Sequence, residues 1–537
     1  MLSVLNRHVF SKTSFRYFAR CASSDQQSFS MAKVKAPPVP DIVRKPPRVP
    51  FLKSLYAGQY DVEVLTYPET LNLERHKDLE SRLQLVQNNC TQTSNVQQLG
   101  LFSMNIPYHS SGLNLTVTEM SRIFEHFDSS VFKSVFEHTI SVDIIKTFGT
   151  PQQKSKYLPL FASGAVCSFH ETVKASALPN QSWELNGSVN NSVSTFMLIV
   201  DGSNAFIVEK DQTTVTGNNL HLKQLNVLKE NTIENIEIKN ILNNGKLYKC
   251  CGLIKSLKSI LQITVENVIK KERLGDKLRH YDSVIKTLSK ALINIYTIES
   301  MIYLTTWMID GFDNADVELE VASTEMYTRQ AVTTTLRDLK SLYGRGSINE
   351  PFLSKYNDVD NLLVNLTNNI ELSEFIGSCG VDYLNKFGCE SNTSFLVSAF
   401  RKYKMKRDDP SLILGLQQYL HPALMHTADF AEYCVLKFQY GLEMSKTNGH
   451  LSIDNKILME LLSKTTMHIY AMTAVLGRAS RSYCTGIRYS DLEMTIAEIV
   501  VRESYATLKP ILEDVISGSY VADSSVYQSF AEKLLNR

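Results

Sequence analysis

The sequence predicts a mostly α-helical protein with a central β domain, and three observations along the chain predict it. Residues 51–160 carry apolar side chains at helical spacing. Residues 165–240 change to short apolar runs separated by turn residues, which is typical of strands. From residue 250 onward the helical spacing returns, for example at Leu253 and Leu257. The predicted order is therefore helical, β, helical bundle and a further helical region.

The bulk composition is that of an ordinary globular protein. Its 537 residues are long enough for several domains, and 43% of them are hydrophobic, which predicts large buried cores. The formal net charge of +1 gives no sign of the basic surface that is typical of nucleic-acid-binding proteins. Uninterrupted apolar runs stay shorter than a membrane-spanning helix needs. We therefore expect a folded protein without a nucleic-acid partner.

The first 24 residues have the character of a mitochondrial targeting sequence. Serines and apolar residues are interspersed there, no acidic residue precedes Asp25, and the basic side chains are Arg7, Lys12, Arg16 and Arg20. The run Arg16-Tyr17-Phe18 resembles a matrix-protease cleavage site. We therefore assign residues 1–18 to a targeting peptide and expect the mature protein in the mitochondrial matrix. A merely basic tail is the alternative.

The domain boundaries follow from changes in this patterning. Residues 19–50 are predicted to be a linker, because their prolines preclude a helix and favour an extended chain, and folded structure is expected to begin near Phe51. Four domains are predicted to follow: an N-terminal helical domain at 51–164, a central β domain at 165–242, a helical bundle at 243–385 and a C-terminal helical domain at 386–537.

Several local patterns make more specific predictions. Residues 196–200 and 205–208 flank the turn residues 201–204, which predicts two buried strands joined by a turn. Asn186-Gly187 is a turn signal, and residues 231–239 alternate roughly as a strand does. The very apolar residues 291–309 still contain polar side chains and predict a buried bundle helix.

The nine cysteines give no sign of a disulfide framework or a metal site. They are scattered without C-x-x-C pairs, and neither an H-E-x-x-H motif nor clustered Cys/His spacing is present. We expect them to be reduced and mostly packed in the interior.

Several short motifs together resemble the acyl-CoA dehydrogenase family. They read LGLF at 99–102, GTPQQKSKYLP at 149–159 and AFIVE at 205–209. Two C-terminal motifs, HPAL at 421–424 and GRASRS at 477–482, resemble the subgroup of very-long-chain acyl-CoA dehydrogenase and its paralogue, a respiratory complex I assembly factor. The resemblance implies an N-terminal helical domain, a β-barrel or sandwich, a four-helix bundle and an extra C-terminal helical domain. It also implies FAD as cofactor and a homodimer.

The catalytic base of that family is replaced in this chain. The segment LVNLTNNI at 363–370 resembles the family motif I-F-E-G-T-N-D-I, which places Asn365 where the family has its Glu. A carboxylate accepts a proton at neutral pH and an amide does not. Some relatives carry the base on another helix, and that position corresponds to Gly245. Glu371 is the alternative as a substitute base, although it lies six residues after Asn365.

The implied FAD contacts are also altered. The residues that correspond to family contacts are Lys271, Gly344, Gly346, Thr367 and Asn368. Lys271 replaces an arginine that meets the FAD pyrophosphate, so charge is kept without bidentate geometry. Tyr343 adds bulk to a glycine-rich loop, and residues 191–194 replace a motif whose Trp packs against the flavin. FAD binding is therefore expected to be weak or lost.

A basic segment at 401–407 reads RKYKMKR between apolar neighbours. Basic residues beside an apolar strip suit anionic lipid headgroups, so this segment is a candidate for peripheral contact with the inner mitochondrial membrane. A solvated interdomain loop is the alternative.

These observations predict a catalytically degenerate homologue that acts as a mitochondrial scaffold or assembly factor, with complex I assembly proteins as partners. An active FAD-dependent long-chain acyl-CoA dehydrogenase of β-oxidation is the alternative. It would require that the alignment is mis-registered and that a base lies elsewhere. A non-catalytic acyl-CoA binder is a third hypothesis.

Overall fold

The three-dimensional structure is a computed structural model of the chain. It describes residues 42–89, 93–171, 173–178, 182–190, 194–216, 219–273, 275–343, 348, 350–388, 403–405 and 408–535. The fold is mostly helical, with one β region between two helical parts. This architecture confirms the predicted fold class.

Among the described residues, six α-helices precede the β region. They are α1 (Phe51–Tyr56), α2 (Leu73–Asn89), α3 (Thr93–Gln98), α4 (Val117–Phe124), α5 (Ser129–Phe148) and α6 (Pro151–Ala162). Capping boxes explain why two of them start where they do. The Thr116 hydroxyl accepts a hydrogen bond from the Glu119 amide, and the Glu119 carboxylate accepts one from the Thr116 amide. Thr150 and Gln153 do the same for α6.

Eight strands form two four-stranded sheets. They are β1 (Cys167–His170), β2 (Lys174–Ala177), β3 (Trp183–Asn190), β4 (Phe196–Asp201), β5 (Asn204–Glu209), β6 (Thr214–Thr216), β7 (Asn219–Val227) and β8 (Thr232–Ile233). The strand orders are β1-β4-β5-β8 and β2-β3-β7-β6. Alternate residues of β4 enter different cores: Leu198 packs with α5 and α6, whereas Met197 packs with the second sheet. The first sheet is therefore the middle layer.

The strand predictions have mixed outcomes. The hairpin is confirmed, since β4 and β5 pair in antiparallel register from Phe196 and Glu209 to Asp201 and Asn204. The turn at Asn186-Gly187 is wrong: both residues lie inside β3, where the register with β7 shifts between Leu185 and Gly187. The strand at 231–239 is mostly wrong, because β8 covers two residues.

The remaining helices form the bundle and the C-terminal region. The bundle helices are α7 (Lys239–Lys270), α8 (Asp282–Gly311), α9 (Glu318–Ser341), α10 (Glu350–Val364) and α11 (Asn369–Phe387), and the later ones are α12 (Met425–Thr447), α13 (Lys456–Cys484), α14 (Ser490–Ser517) and α15 (Tyr520–Leu535). The predicted apolar face of α7 is buried, and α8 is the buried bundle helix expected at 291–309. One large core joins α8, α9 and α11 to α12, α13 and α14.

Ordered packing begins before Phe51. Lys45 donates from its amide to the Gly311 carbonyl (2.8 Å) and accepts from the Asp313 amide (2.9 Å). Arg48 pairs with Asp61. The segment from residue 42 therefore lies along the end of α8, although its prolines keep it from being helical, as predicted.

Cysteine burial agrees with the prediction for the residues that the structure describes. Cys167, Cys250, Cys251 and Cys434 are buried free thiols, and Cys484 is exposed. Within the described ranges, His, Cys, Asp and Glu side chains form no cluster that could hold a metal ion. The same ranges contain no helix that is both long and apolar enough to cross a membrane.

Candidate functional site

The connector between α10 and α11 carries the position at which the resemblance places the base. Asn365 is exposed, and its Nδ2 donates to the Asn361 carbonyl one turn earlier (3.0 Å). Its own carbonyl accepts a hydrogen bond from Lys249 Nζ on α7 (3.1 Å). The amide therefore bonds the C-terminal end of its own helix, as polar side chains commonly do at helix ends.

A buried carboxylate that the sequence analysis missed holds this connector. Glu325 on α9 is 1% exposed, and its Oε1 accepts a hydrogen bond from the Thr367 amide (2.8 Å). Its Oε2 lies 3.7 Å from Lys246 Nζ. The Thr367 amide thus satisfies Oε1, whereas Oε2 accepts no hydrogen bond from the described residues.

Arg329 fixes the same connector from one turn further along α9. Its Nη1 donates to the carbonyl of Leu363 (3.0 Å), in the last turn of α10, and to the carbonyl of Leu366 (3.2 Å), just after that helix. Glu325 and Arg329 are spaced by four and therefore share a helix face. That spacing was the available signal in the sequence, but it is common on exposed helices and gives no indication of burial.

Lys249 adds an ammonium group beside the connector. Burial lowers the pKa of its ammonium group, and the nearby Glu325 carboxylate acts in the opposite direction. Its Nζ also lies 5.3 Å from the centre of the Phe136 ring, within cation–π range. The described groups at this site are thus the ammonium groups of Lys246 and Lys249, the Arg329 guanidinium, amides and the Glu325 carboxylate. They are suited to holding backbone carbonyls in place.

The second base position is closed by packing. A Cβ atom at Gly245 would lie 3.0 Å from Ile140 Cδ1 and 3.3 Å from Phe136 Cε2. At Gly252 a Cβ would lie 2.5 Å from Phe132 Cε2. The two glycines therefore let α7 approach the aromatic rings of α5, and a longer side chain at either position would displace them.

The residues at the proposed FAD contacts lie on different elements. Thr367 and Asn368 lie in the connector, whereas Lys271, whose implied contact is with FAD across the dimer, follows α7. Gly344 and Gly346 lie outside the described residues. Asn368 caps α11, since its side chain accepts a hydrogen bond from the Ile370 amide (3.3 Å).

Lys271 and Tyr343 contact each other. The Lys271 ammonium lies 5.7 Å from the centre of the Tyr343 ring. That ring is 7% exposed and packs against Phe352 with a centroid distance of 4.3 Å. Tyr343 thus packs in a core, and Asn368 caps α11.

The segment that replaces the flavin-stacking motif is partly described. Residues 191–193 lie outside the described residues. Ser194 is buried, and its Oγ donates to Ser168 Oγ (3.1 Å), which lies 3.0 Å from His170 Nε2. Burial lowers the pKa of His170 to about 4, and Lys133 adds to that effect. Ser194, Ser168 and His170 thus form a chain of hydrogen-bonded polar groups.

The remaining predicted residues are placed as follows. Glu371 is exposed in the first turn of α11, where a carboxylate interacts favourably with the helix dipole. Arg401, Lys402, Lys406 and Arg407 of the basic segment lie outside the described residues. Lys404 donates to Ser411 Oγ (2.9 Å), and Met405 is buried. The described part of the segment thus includes a residue packed in the interior.

Comparisons with known proteins relate the chain to acyl-CoA dehydrogenases. The family model described as acyl-CoA dehydrogenase, N-terminal domain, matches residues 84–165. The model described as ACAD9/ACADV, C-terminal domain, matches residues 422–537. In the sequence, the first match precedes the connector and the second follows it.

Whole-chain relatives are similar at low identity. The mitochondrial very long-chain specific acyl-CoA dehydrogenase of Mus musculus is 24% identical over 86% of this chain and 84% of its own length. The same enzyme of Homo sapiens is 22% identical over 89% of this chain and 87% of its own length.

A solved structure gives the fold. An acyl-CoA dehydrogenase complexed with FAD from Bacillus anthracis superposes with a TM-score of 0.70 at 15% identity, over 86% of this chain and 91% of that one. At that identity the likeness shows the fold alone. The chain thus has the acyl-CoA dehydrogenase fold, carries acyl-CoA dehydrogenase-family N-terminal and ACAD9/ACADV-type C-terminal domains, and is weakly similar to the very-long-chain enzymes.

Proposed function

We propose that this chain is a catalytically inactive homologue of the acyl-CoA dehydrogenases that acts as a scaffold in mitochondria. The role we assign it is assembly of respiratory complex I, in connection with fatty-acid oxidation. Its partners would be assembly proteins and a second copy of itself. The mitochondrial location rests on the basic, serine-containing residues 1–24 and on the names of the relatives.

The observation that carries the proposal is the state of the connector. The reaction of the family needs a base that removes a proton from the substrate. Asn365 offers an amide, bonded to its own helix, and Gly245 offers no side chain. Glu325, the buried carboxylate at this site, bonds the Thr367 amide, which is a structural role.

A turnover assay on a pair of variants tests the loss of chemistry. Asn365→Glu restores a carboxylate at the base position, and Asn361→Glu places the same charge one turn away on exposed surface as the matched control. With added FAD, palmitoyl-CoA and an artificial electron acceptor, we expect no turnover by the parent or by either variant. Turnover by the parent would contradict the proposal. Turnover by Asn365→Glu alone would leave the parent inactive and would show that the rest of the site is intact, contrary to the expected loss of FAD contacts.

The alternative function, an active long-chain dehydrogenase, is favoured by one observation. Glu325 places a carboxylate next to the connector, with Lys246 beside it. If Glu325 were the base, the parent would turn over, and Glu325→Gln would abolish turnover although its amide oxygen can still accept from Thr367. An inactive parent removes this alternative.

The scaffold role needs its own test. Affinity purification of the full chain from mitochondria, followed by mass spectrometry, is expected to recover subunits or assembly proteins of complex I. Deletion of the gene is expected to lower the amount of assembled complex I and to leave palmitoyl-CoA oxidation in extracts unchanged. Loss of palmitoyl-CoA oxidation with complex I intact would contradict the proposal.

A further inference from the structure

One cavity is lined by residues that are distant in sequence from the connector. It has a volume of about 510 Å³, within the range of small-molecule sites. It lies where residues 67–76, α8 and α13 meet. We call it the arginine pocket, after Arg478 and Arg481 in its wall; Pro68, Leu71 and Ile487 supply apolar lining.

The GRASRS motif builds the polar side of this pocket. Gly477 is required for close packing, because a Cβ there would lie 2.9 Å from the Leu65 carbonyl. Arg478 and Arg481 are spaced by three and share a face of α13. Ser480 Oγ accepts a hydrogen bond from the His421 amide (2.8 Å), which ties in the HPAL motif. The HPAL motif thus packs beside the GRASRS motif, whose two arginines line the pocket.

Arg478 is held rigidly at the pocket wall. Its guanidinium carbon lies 4.3 Å from the centre of the Tyr296 ring, and Nη1 donates to Ser300 Oγ (3.2 Å). Its distance to Glu299 Oε2 is 3.4 Å, whereas Lys258 Nζ approaches Glu299 Oε1 to 2.6 Å. Both Nη1 and Nη2 donate to Glu299 Oε2 at this long distance. A guanidinium has five N–H donors, so Arg478 has donors left for a further anion beside Glu299 and Ser300.

The charges that line the pocket favour an anion. Its lining includes two arginines and a single carboxylate, Glu69. Arg481 pairs with Glu69 at 2.8 Å, but the Glu69 side chain is 72% exposed. Exposed ion pairs contribute little to stability, so a ligand anion can take the place of Glu69 at little cost.

We propose that the arginine pocket binds a small amphipathic oxyanion. Its carboxylate or phosphate head would bond Arg478 and Arg481, since guanidinium groups pair with both oxyanions. Its apolar body would lie against Pro68, Leu71 and Ile487. The ligand would bridge the N-terminal part, the bundle and the C-terminal helices. The proposal is independent of whether the connector is catalytic.

Calorimetric titration of the full chain tests the ligand class. The probes are dodecanoate, dodecyl phosphate, dodecanol and inorganic phosphate, each kept below micelle formation. We expect saturable one-to-one binding of dodecanoate or dodecyl phosphate, and the tighter of the two identifies the head group. Weak or absent binding is expected for dodecanol and inorganic phosphate. Binding of inorganic phosphate as tight as that of dodecyl phosphate would overturn the amphipathic assignment.

Two variants with opposite expected effects locate the binding. Arg481→Ala removes a half-exposed guanidinium and should weaken binding by roughly ten-fold, the effect of losing one charge-assisted hydrogen bond. Glu69→Gln removes the competing carboxylate and should tighten binding. Arg488→Ala, an exposed arginine outside the lining, is the control and should change nothing. Affinities that Arg481→Ala and Glu69→Gln leave unaltered would refute the site.

Discussion

At the scale of single residues, the connector shows how one substitution and its surroundings fit together. Asn365 lies where the family resemblance implies a carboxylate, and Glu325 and Arg329 hydrogen-bond the connector backbone. The sequence predicts the replacement of the base through a motif. It could not predict Glu325, because the carboxylate and the Thr367 amide that it holds are 42 residues apart.

A buried histidine makes a prediction at the same scale. His138 is 1% exposed, its Nε2 donates to the Phe102 carbonyl (2.8 Å), and its Nδ1 accepts from the Cys167 amide (3.0 Å). A protonated His138 would carry a hydrogen on Nδ1 that points at the Cys167 N–H group. Burial also lowers the His138 pKa to about 4. In the unfolded chain the His138 pKa returns to about 6.5. The contribution of His138 to the free energy of unfolding is therefore complete above that pH, and it falls by at most about 3 kcal/mol as the pH drops towards 4.

Urea unfolding between pH 7 and pH 4 measures this effect. His138→Gln should be less stable than the parent at pH 7 and should lose less stability as the pH falls. His109→Gln changes an exposed histidine and should follow the parent at every pH. An equal slope for His138→Gln and the parent would contradict the assignment.

At the scale of elements, close approach of α5 and α7 depends on glycine. Gly252 faces Phe132, and the rings of Phe132 and Phe136 stack with a centroid distance of 5.9 Å. Tyr248 on the same helix stacks on Phe124 at 4.6 Å. Aromatic rings thus fill the space between these helices.

Adding a methyl group at Gly252 tests this packing. Gly252→Ala should lower the free energy of unfolding by about 1–3 kcal/mol, because the new Cβ overlaps Phe132. Adding Phe132→Leu should recover part of that loss. Gly311→Ala is the control, since its Cβ would meet nothing closer than 3.6 Å and alanine favours a helix. Equal stability of Gly252→Ala and the parent in urea would refute the contact.

Element prediction from sequence succeeded where the pattern was local. The β4–β5 hairpin and the apolar face of α7 were predictable because spacing and turn residues specify them. Asn186-Gly187 misled, because its turn signal coincides with an irregular register inside β3. The segment 231–239 alternates, but α7 begins at Lys239 and limits β8 to two residues.

At the scale of the whole molecule, one buried charge network joins the parts of the chain. Glu299 on α8 pairs with Lys258 on α7 and with Arg478 on α13. Lys258 Nζ also lies 3.6 Å from Oε2 of Glu125, the residue that follows α4. Helical domains are thereby tied together around a few charged side chains. The motifs predicted the domain order, but these pairs join residues more than forty positions apart and leave no local pattern.

Glu299 is therefore predicted to contribute to the dependence of the unfolding free energy on pH in acid. Burial alone would raise its pKa, but attraction to Lys258 and Arg478 outweighs burial and holds the pKa at about 2. Because the unfolded value is higher, the contribution is complete above about pH 4.5 and disappears as pH falls towards 2. Glu299→Gln should lower the unfolding free energy at pH 7 by about 1–3 kcal/mol, since Arg478 loses this carboxylate and Lys258 keeps the longer contact with Glu125.

Unfolding at pH 7 and pH 3 measures this loss. The difference between Glu299→Gln and the parent should shrink at the lower pH. Glu498→Gln, which breaks an exposed pair with Arg502, is the control and should have little effect. A difference that is constant with pH would rule out the ionised carboxylate.

The visible absorption spectrum of the purified mature protein, recorded after incubation with FAD and removal of free flavin, tests the central claim most directly. The account predicts no bound flavin band and no change on adding palmitoyl-CoA, because the described residues at the implied FAD positions cap and pack helices. A flavin band that bleaches with palmitoyl-CoA would contradict the account and identify an active dehydrogenase.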